Sequence, residues 1–186
     1  MKNAWLITIA LVTLLAGATG CGQNVPGESV PPAGDLNTPT APTPVQSDFN
    51  FIFKYGVTGI TALDTYQGTF TKDMVLDPAI TIELTLSQPE MDSVYQKMVE
   101  IDFWKYPEEF SVTVPEGERK AEVTPYSTYF FQVTYAGKTK ELLWHDKIMN
   151  PDAQADKLKG LINLIINIIE SREEYKKLPA QHGGYI

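Results

Sequence analysis

The chain has 186 residues, with 15 basic and 23 acidic side chains and a formal net charge of −8. An acid excess disfavours nucleic acid, whose binding depends on Lys and Arg neutralising phosphates, and it disfavours an electrostatic hold on anionic lipid. A single cysteine, Cys21, excludes internal disulfides and cysteine-based metal sites.

The N-terminus combines one basic side chain, Lys2, with an uncharged run "AWLITIALVTLL" over residues 4–15 and small residues through Gly20. That order is the pattern of a secretory signal peptide. A bilayer-spanning helix needs about 20 apolar residues, so this run is too short to be a permanent span. The four residues Ala18-Thr19-Gly20-Cys21 resemble the lipobox of bacterial lipoprotein precursors. The resemblance implies that Cys21 is diacylated on sulfur, becomes the first residue of the processed chain, and holds it to the lipid bilayer at the extracytoplasmic face of the cell membrane. Two acyl chains give a stable attachment where one holds only reversibly.

Residues 1–20 are thus expected to be the signal peptide and 21–48 a tether beginning at the lipidated cysteine. The segment from Gly22 to Asp48 holds six of the 13 prolines and almost no large apolar side chain. Such a composition cannot offset its own ordering entropy, which predicts a disordered spacer. As a coil its 27 residues span roughly 30 Å.

Residues 49–186 read as one α+β domain. "FNFIFKYGV" alternates Phe49, Phe51, Phe53, Tyr55 and Val57 with polar residues, predicting a strand with one buried face. "TYQGTFTKD" (65–73) and "AITIELTLS" (79–87) repeat the alternation, predicting an antiparallel meander. Ser87 and Glu90 form a capping-box pair, Pro89 fits the first turn, and Met91, Val94, Tyr95, Met98 and Ile101 recur at helical spacing, predicting a helix over 88–102. Pro107 breaks it. "SVTV" (111–114) reads as a further strand, and "PEGERKAEVTP" as an exposed loop. After Pro125 the chain predicts a β-hairpin turning at Ala136-Gly137-Lys138, and then a helix over 152–177 whose Leu and Ile side chains cover an arc of about 200°. The architecture expected is an antiparallel sheet of about five or six strands with two helices on one face.

Motifs for chemistry are sparse. His145 and Asp146 are adjacent on a strand and therefore face opposite ways, which makes them poor direct partners. His182-Gly183-Gly184 has no G-x-S-x-G nucleophile elbow to serve. No P-loop, G-x-G-x-x-G, H-E-x-x-H or calcium-loop spacing occurs. The sequence therefore names no catalytic, cofactor or metal residues. Its aromatic residues are more suggestive: Tyr126, Tyr129, Tyr135 and Trp144 crowd the predicted hairpin, and if exposed together they form a contact patch for an envelope protein or glycan. The reading is a membrane-anchored bacterial lipoprotein with a non-enzymatic binding or envelope-structural domain. The alternatives are an envelope hydrolase assembled around His145 and carboxylates, and an inhibitor-type module presenting the tyrosine-rich hairpin.

Overall fold

The structure is a computed structural model and describes residues 48–185. The expectations for the signal peptide, Cys21 and the tether up to Ser47 lie outside the described residues. Seven strands form one sheet in the order β4-β3-β2-β1-β6-β7-β5. They are β1 (Asn50–Tyr55), β2 (Thr61–Asp64), β3 (Thr69–Met74), β4 (Asp77–Glu83), β5 (Glu109–Phe110), β6 (Thr128–Tyr135) and β7 (Lys138–His145). All neighbours are antiparallel except β5, which runs parallel to β7. The sheet is therefore mixed at one edge and larger by one or two strands than the periodicity predicts.

The additional strand is β2, whose four residues "TALD" carry one large apolar side chain, Leu63, too little to register as an alternating run. The segment assigned to a strand from Thr65 is a turn up to Gly68. Asp64 Oδ1 accepts the amides of Tyr66 and Gln67 at 2.9 and 3.1 Å, and Gly68 adopts φ +64°. That left-handed conformation suits glycine. Tyr66 consequently lies exposed on the turn, its hydroxyl 2.5 Å from Thr134 Oγ1. "SVTV" is not a strand: pairing with β7 falls just before it, at Glu109 and Phe110. The hairpin turn is as expected, with Ala136 at φ +51° and Gly137 at φ +70° between β6 and β7. Positive φ at both positions matches the right-handed twist of the strands they join.

Helix α1 spans Gln88–Glu100. Its start is fixed by Glu90, which accepts both the amide and the hydroxyl of Ser87 at 2.7 Å. Helix α2 spans Ala153–Ser171 and is capped by Asp152, whose Oδ1 accepts the amides of Gln154 and Ala155 at 2.8 and 2.9 Å. The long helix expected to run to 177 breaks at Arg172 (φ −75°, ψ 138°) and resumes as the single turn α3, Glu173–Lys176. The break has a tertiary cause. Arg172 places its guanidinium on Glu90 at 3.1 Å and on the Thr85 carbonyl at 2.9 Å, joining the end of α2 to the start of α1.

The core forms between one sheet face and the helices. Phe51, Phe53, Phe70, Phe131, Val133, Leu142 and Trp144 from the strands meet Val94, Met98, Leu158, Leu161, Ile162, Ile165 and Ile169. Phe131 stacks on Phe53 at 4.7 Å and meets Phe103 edge-on at 5.5 Å. The other sheet face carries hydroxyl pairs Thr71–Thr81 at 2.8 Å and Thr134–Thr139 at 3.0 Å across neighbouring strands, and a cross-strand pair of Phe130 and Leu143. Among the described residues no helix is long and apolar enough to cross a membrane.

Candidate functional site

A hollow of about 260 Å³ opens where the C-terminal half of α1 meets the end of β6, and it is lined by Tyr95, Met98, Val99, Trp104 and Tyr135, with Asp102 and Lys105 at its rim. Its shape begins with the end of α1. Asp102 takes a left-handed conformation (φ 57°, ψ 42°) that turns the chain into a short 3-10 turn, Phe103–Lys105. Two neighbouring aromatics are thereby sent in opposite directions. Phe103 enters the core with no exposed surface, while Trp104 stays 40% exposed.

The rings around the hollow brace one another. Trp104 stands perpendicular to Tyr95 (6.2 Å, 87°) and to Tyr135 (6.3 Å, 89°), and Tyr95 and Tyr135 lie 4.8 Å apart. Edge-to-face arrangements of this kind are favoured by the ring quadrupoles and fix ring orientation. A hydrogen bond to Tyr135, reinforced by burial, pushes the Tyr95 hydroxyl up to about 12, so it stays neutral across the physiological range. Asp102 and Lys105 pair at 2.8 Å, both well exposed. Val99, 52% exposed, extends the apolar floor outward. The arrangement offers braced aromatic faces with an ion pair at the edge.

Of the residues singled out from the sequence, Tyr135 belongs to this hollow. Trp144 is 1% exposed and forms part of the core, and Tyr129 packs against it at 5.4 Å. Tyr126 lies elsewhere, edge-on to His145 at 5.8 Å. The four therefore do not share one surface. Alternation explains the split: Tyr129, Tyr135 and Trp144 lie on the helix-facing side, where α1 and α2 cover all but the end of the strand. The partners of Tyr135, Tyr95 and Trp104, come from a different part of the chain. The available signal was the aromatic run after the first helix, but only the fold brings it to β6.

His145 faces a hollow with Glu109, Ser111, Leu143 and Lys147. Its Nδ1 lies 3.1 Å from the Thr128 hydroxyl. Asp146 turns the other way, as alternation requires, with Oδ2 3.3 Å from Lys159 and Oδ1 buried without a hydrogen-bond partner. Among the described residues no carboxylate hydrogen-bonds to His145, while Glu109 lines the same hollow. No group of three or more His, Cys, Asp or Glu among the described residues is placed to hold a metal ion.

A third cluster lies at the corner between β3 and β4. Asp73 is buried and accepts the Thr58 hydroxyl at 2.7 Å, the Val75 amide at 3.0 Å and the Tyr185 hydroxyl. Burial alone pushes this carboxyl up, but the donors from Tyr185, Thr58 and the backbone of Val75 and Met74 outweigh it and hold it below the usual carboxylate range. Gln181 adds a bond to the Asp73 carbonyl at 2.5 Å, and His182 Nδ1 lies 2.8 Å from Asp77. The polar groups here are satisfied by the chain's own C-terminal segment, so the cluster acts as a latch. His182, set aside as a catalytic residue from the sequence, is part of it.

No protein-family model matches this chain, and neither does any curated protein sequence.

Proposed function

We propose that this protein is a lipoprotein held to the extracytoplasmic face of a bacterial membrane through acylated Cys21, and that its α+β domain is a non-enzymatic binding module for an envelope protein or glycan. The single observation that carries the binding part is the aromatic hollow, where Trp104 and Val99 remain open to solvent above braced tyrosines. Aromatic faces bordered by a polar rim bind sugar rings and planar or apolar side chains without needing catalytic groups. The anchoring part rests on residues 1–21 and on a Pro-rich stretch long enough to hold the domain clear of the bilayer.

Two measurements test the reading. Metabolic labelling with a fatty acid marks the wild-type protein and not Cys21→Ala; label retained in the mutant refutes the anchor. Titration calorimetry with soluble cell-wall glycan fragments and with purified envelope proteins gives binding heat with wild type and not with Trp104→Ala. If Trp104→Ala binds as wild type does, the hollow is not the site.

A further inference from the structure

Among the described residues the helices pack on one face of the sheet, and the other face carries three adjoining hollows. The first, of about 230 Å³, is lined by Lys54, Gly59, Thr128, Phe130 and Leu143. Leu143 also lines the hollow at His145, of about 240 Å³, and Lys147 joins that one to a third, of about 300 Å³, beside Tyr126. The ladder registers explain the alignment. Lys54 lies opposite Phe130 and Phe130 opposite Leu143, so all three project from one face. Strands β1, β6 and β7 are neighbours, so the strip crosses the strands and covers about 10 Å between β1 and β7. Its side chains hold one another in place. Lys54 Nζ stands 5.8 Å over the Phe130 ring, Tyr126 meets His145 edge-on at 5.8 Å, and the Thr128 hydroxyl lies 3.1 Å from His145 Nδ1.

Charge sets this strip apart from the rest of the molecule. The chain is acidic overall, at −8, and Lys97, Lys105, Lys120, Lys159 and Lys176 are each paired with a carboxylate. Among the described residues Lys54 and Lys147 form no such pair. Of the acids on the strip, Glu122 is held by Lys120 at 2.6 Å, which leaves Glu109 against two lysines. We propose that this strip binds an oligosaccharide bearing carboxylates, laid across the strands with ring faces on Phe130 and Tyr126 and carboxylates toward Lys54 and Lys147. It is a second site, separate from the hollow at Tyr95 and Trp104, which lies on the helix-facing side. The backbone decides between a glycan and an acidic peptide. Strands β1, β6 and β7 each have a hydrogen-bonded neighbour on both sides, so an extended peptide finds no open strand edge to pair with here. Sugar rings need only flat faces, fixed charges and a few hydroxyl partners. His145 supplies one such partner: its Nδ1 is engaged by Thr128, and among the described residues Nε2 has none.

The test is titration calorimetry of the full chain in detergent micelles, at low salt, with purified oligogalacturonate. Wild type is expected to bind it, and K54Q/K147Q to bind about tenfold more weakly, as the loss of two exposed charge pairs requires. The methyl ester of the same oligosaccharide keeps the rings and loses the charges, and should bind wild type about as weakly. Thermal unfolding controls for the fold of the double variant. No binding of oligogalacturonate by wild type, or equal affinity in K54Q/K147Q, overturns the inference. So does oligoglutamate that binds as tightly as oligogalacturonate, because charge alone is then being read. The two sites fail separately. Oligogalacturonate binding that is lost in Trp104→Ala and kept in K54Q/K147Q removes this strip and leaves the aromatic hollow. Binding that needs the two lysines, with no ligand that needs Trp104, does the reverse.

Discussion

Asp73→Asn probes whether one buried carboxylate holds the C-terminal segment in place. In the wild type Oδ2 accepts the Thr58 and Tyr185 hydroxyls while Oδ1 accepts the Val75 amide. An amide has nearly the same shape, but its NH2 cannot accept from these donors and the remaining bonds lose their charge assistance. A hydrogen bond to a charged group contributes about 1.5–3 kcal/mol, and a donor left unpaired costs about 1–3 kcal/mol. The amide keeps one oxygen and so forfeits the acceptor for only one side of the cluster; with water able to reach the corner, the loss is about 1–2 kcal/mol. For a domain of this size that is a fall of roughly 3–8 °C in Tm. The pH dependence follows from the sign of the shift. The folded-state pKa is depressed, so the carboxylate's contribution is present above the ordinary unfolded value and is lost as pH falls through the lower folded one. Thermal unfolding of wild type and D73N from neutral to strongly acidic pH should show a gap that closes in acid. Hydrogen exchange should show faster exchange at the Tyr185 end of the chain in D73N at neutral pH. Equal Tm values at pH 7, or a gap that stays constant into acid, refute the reasoning.

Phe131→Ala removes a fully buried ring that touches Phe53 and Phe103 and should cost about 3–5 kcal/mol in urea unfolding; a loss below 1 kcal/mol contradicts the packing described. Gly68→Ala places a Cβ 2.6 Å from Thr85 Oγ1 at a backbone with φ +64°, and should destabilise by about 1–2 kcal/mol, more than the ordinary advantage of alanine over glycine can offset. In a spectrophotometric titration, one tyrosine absent from Tyr95→Phe should ionise near pH 12. Since its folded pKa is raised, the associated stability is present below the ordinary value near 10 and is lost as pH rises through about 12. Ionisation of Tyr95 at the ordinary value would show that its bond to Tyr135 is not formed.

How much of this was legible in advance depended on how local each signal is. The capping pair of Ser87 and Glu90, the left-handed turn at Ala136-Gly137 and the apolar arc of α2 are written in residues only a few positions apart, and each formed where the pattern placed it. Strand β2 was missed because four residues with a single Leu carry no period, and it is held instead by pairing to β1 and β3. The end of α2 was misplaced for a similar reason. Its periodicity runs on unbroken, and only the distant carboxylate of Glu90 and carbonyl of Thr85 draw Arg172 out of helical geometry. The aromatic patch shows the same limit in the candidate site. The sequence places Tyr126, Tyr129, Tyr135 and Trp144 around the predicted hairpin, but the sheet face, the covering helices and the turn at Asp102 decide which aromatic side chains are buried and which stay open.

The sequence by itself determined the α+β class, the one-sided burial of the main strands and the position of both long helices. These follow from periods of two and 3.6 residues and from short-range hydrogen bonds. Tertiary structure alone decided that β5 joins β7 in parallel, that Tyr95 and Trp104 meet Tyr135, and that the C-terminal segment closes on Asp73. Each of these joins residues far apart in the chain, and their meeting depends on the packing of the whole core rather than on any local preference.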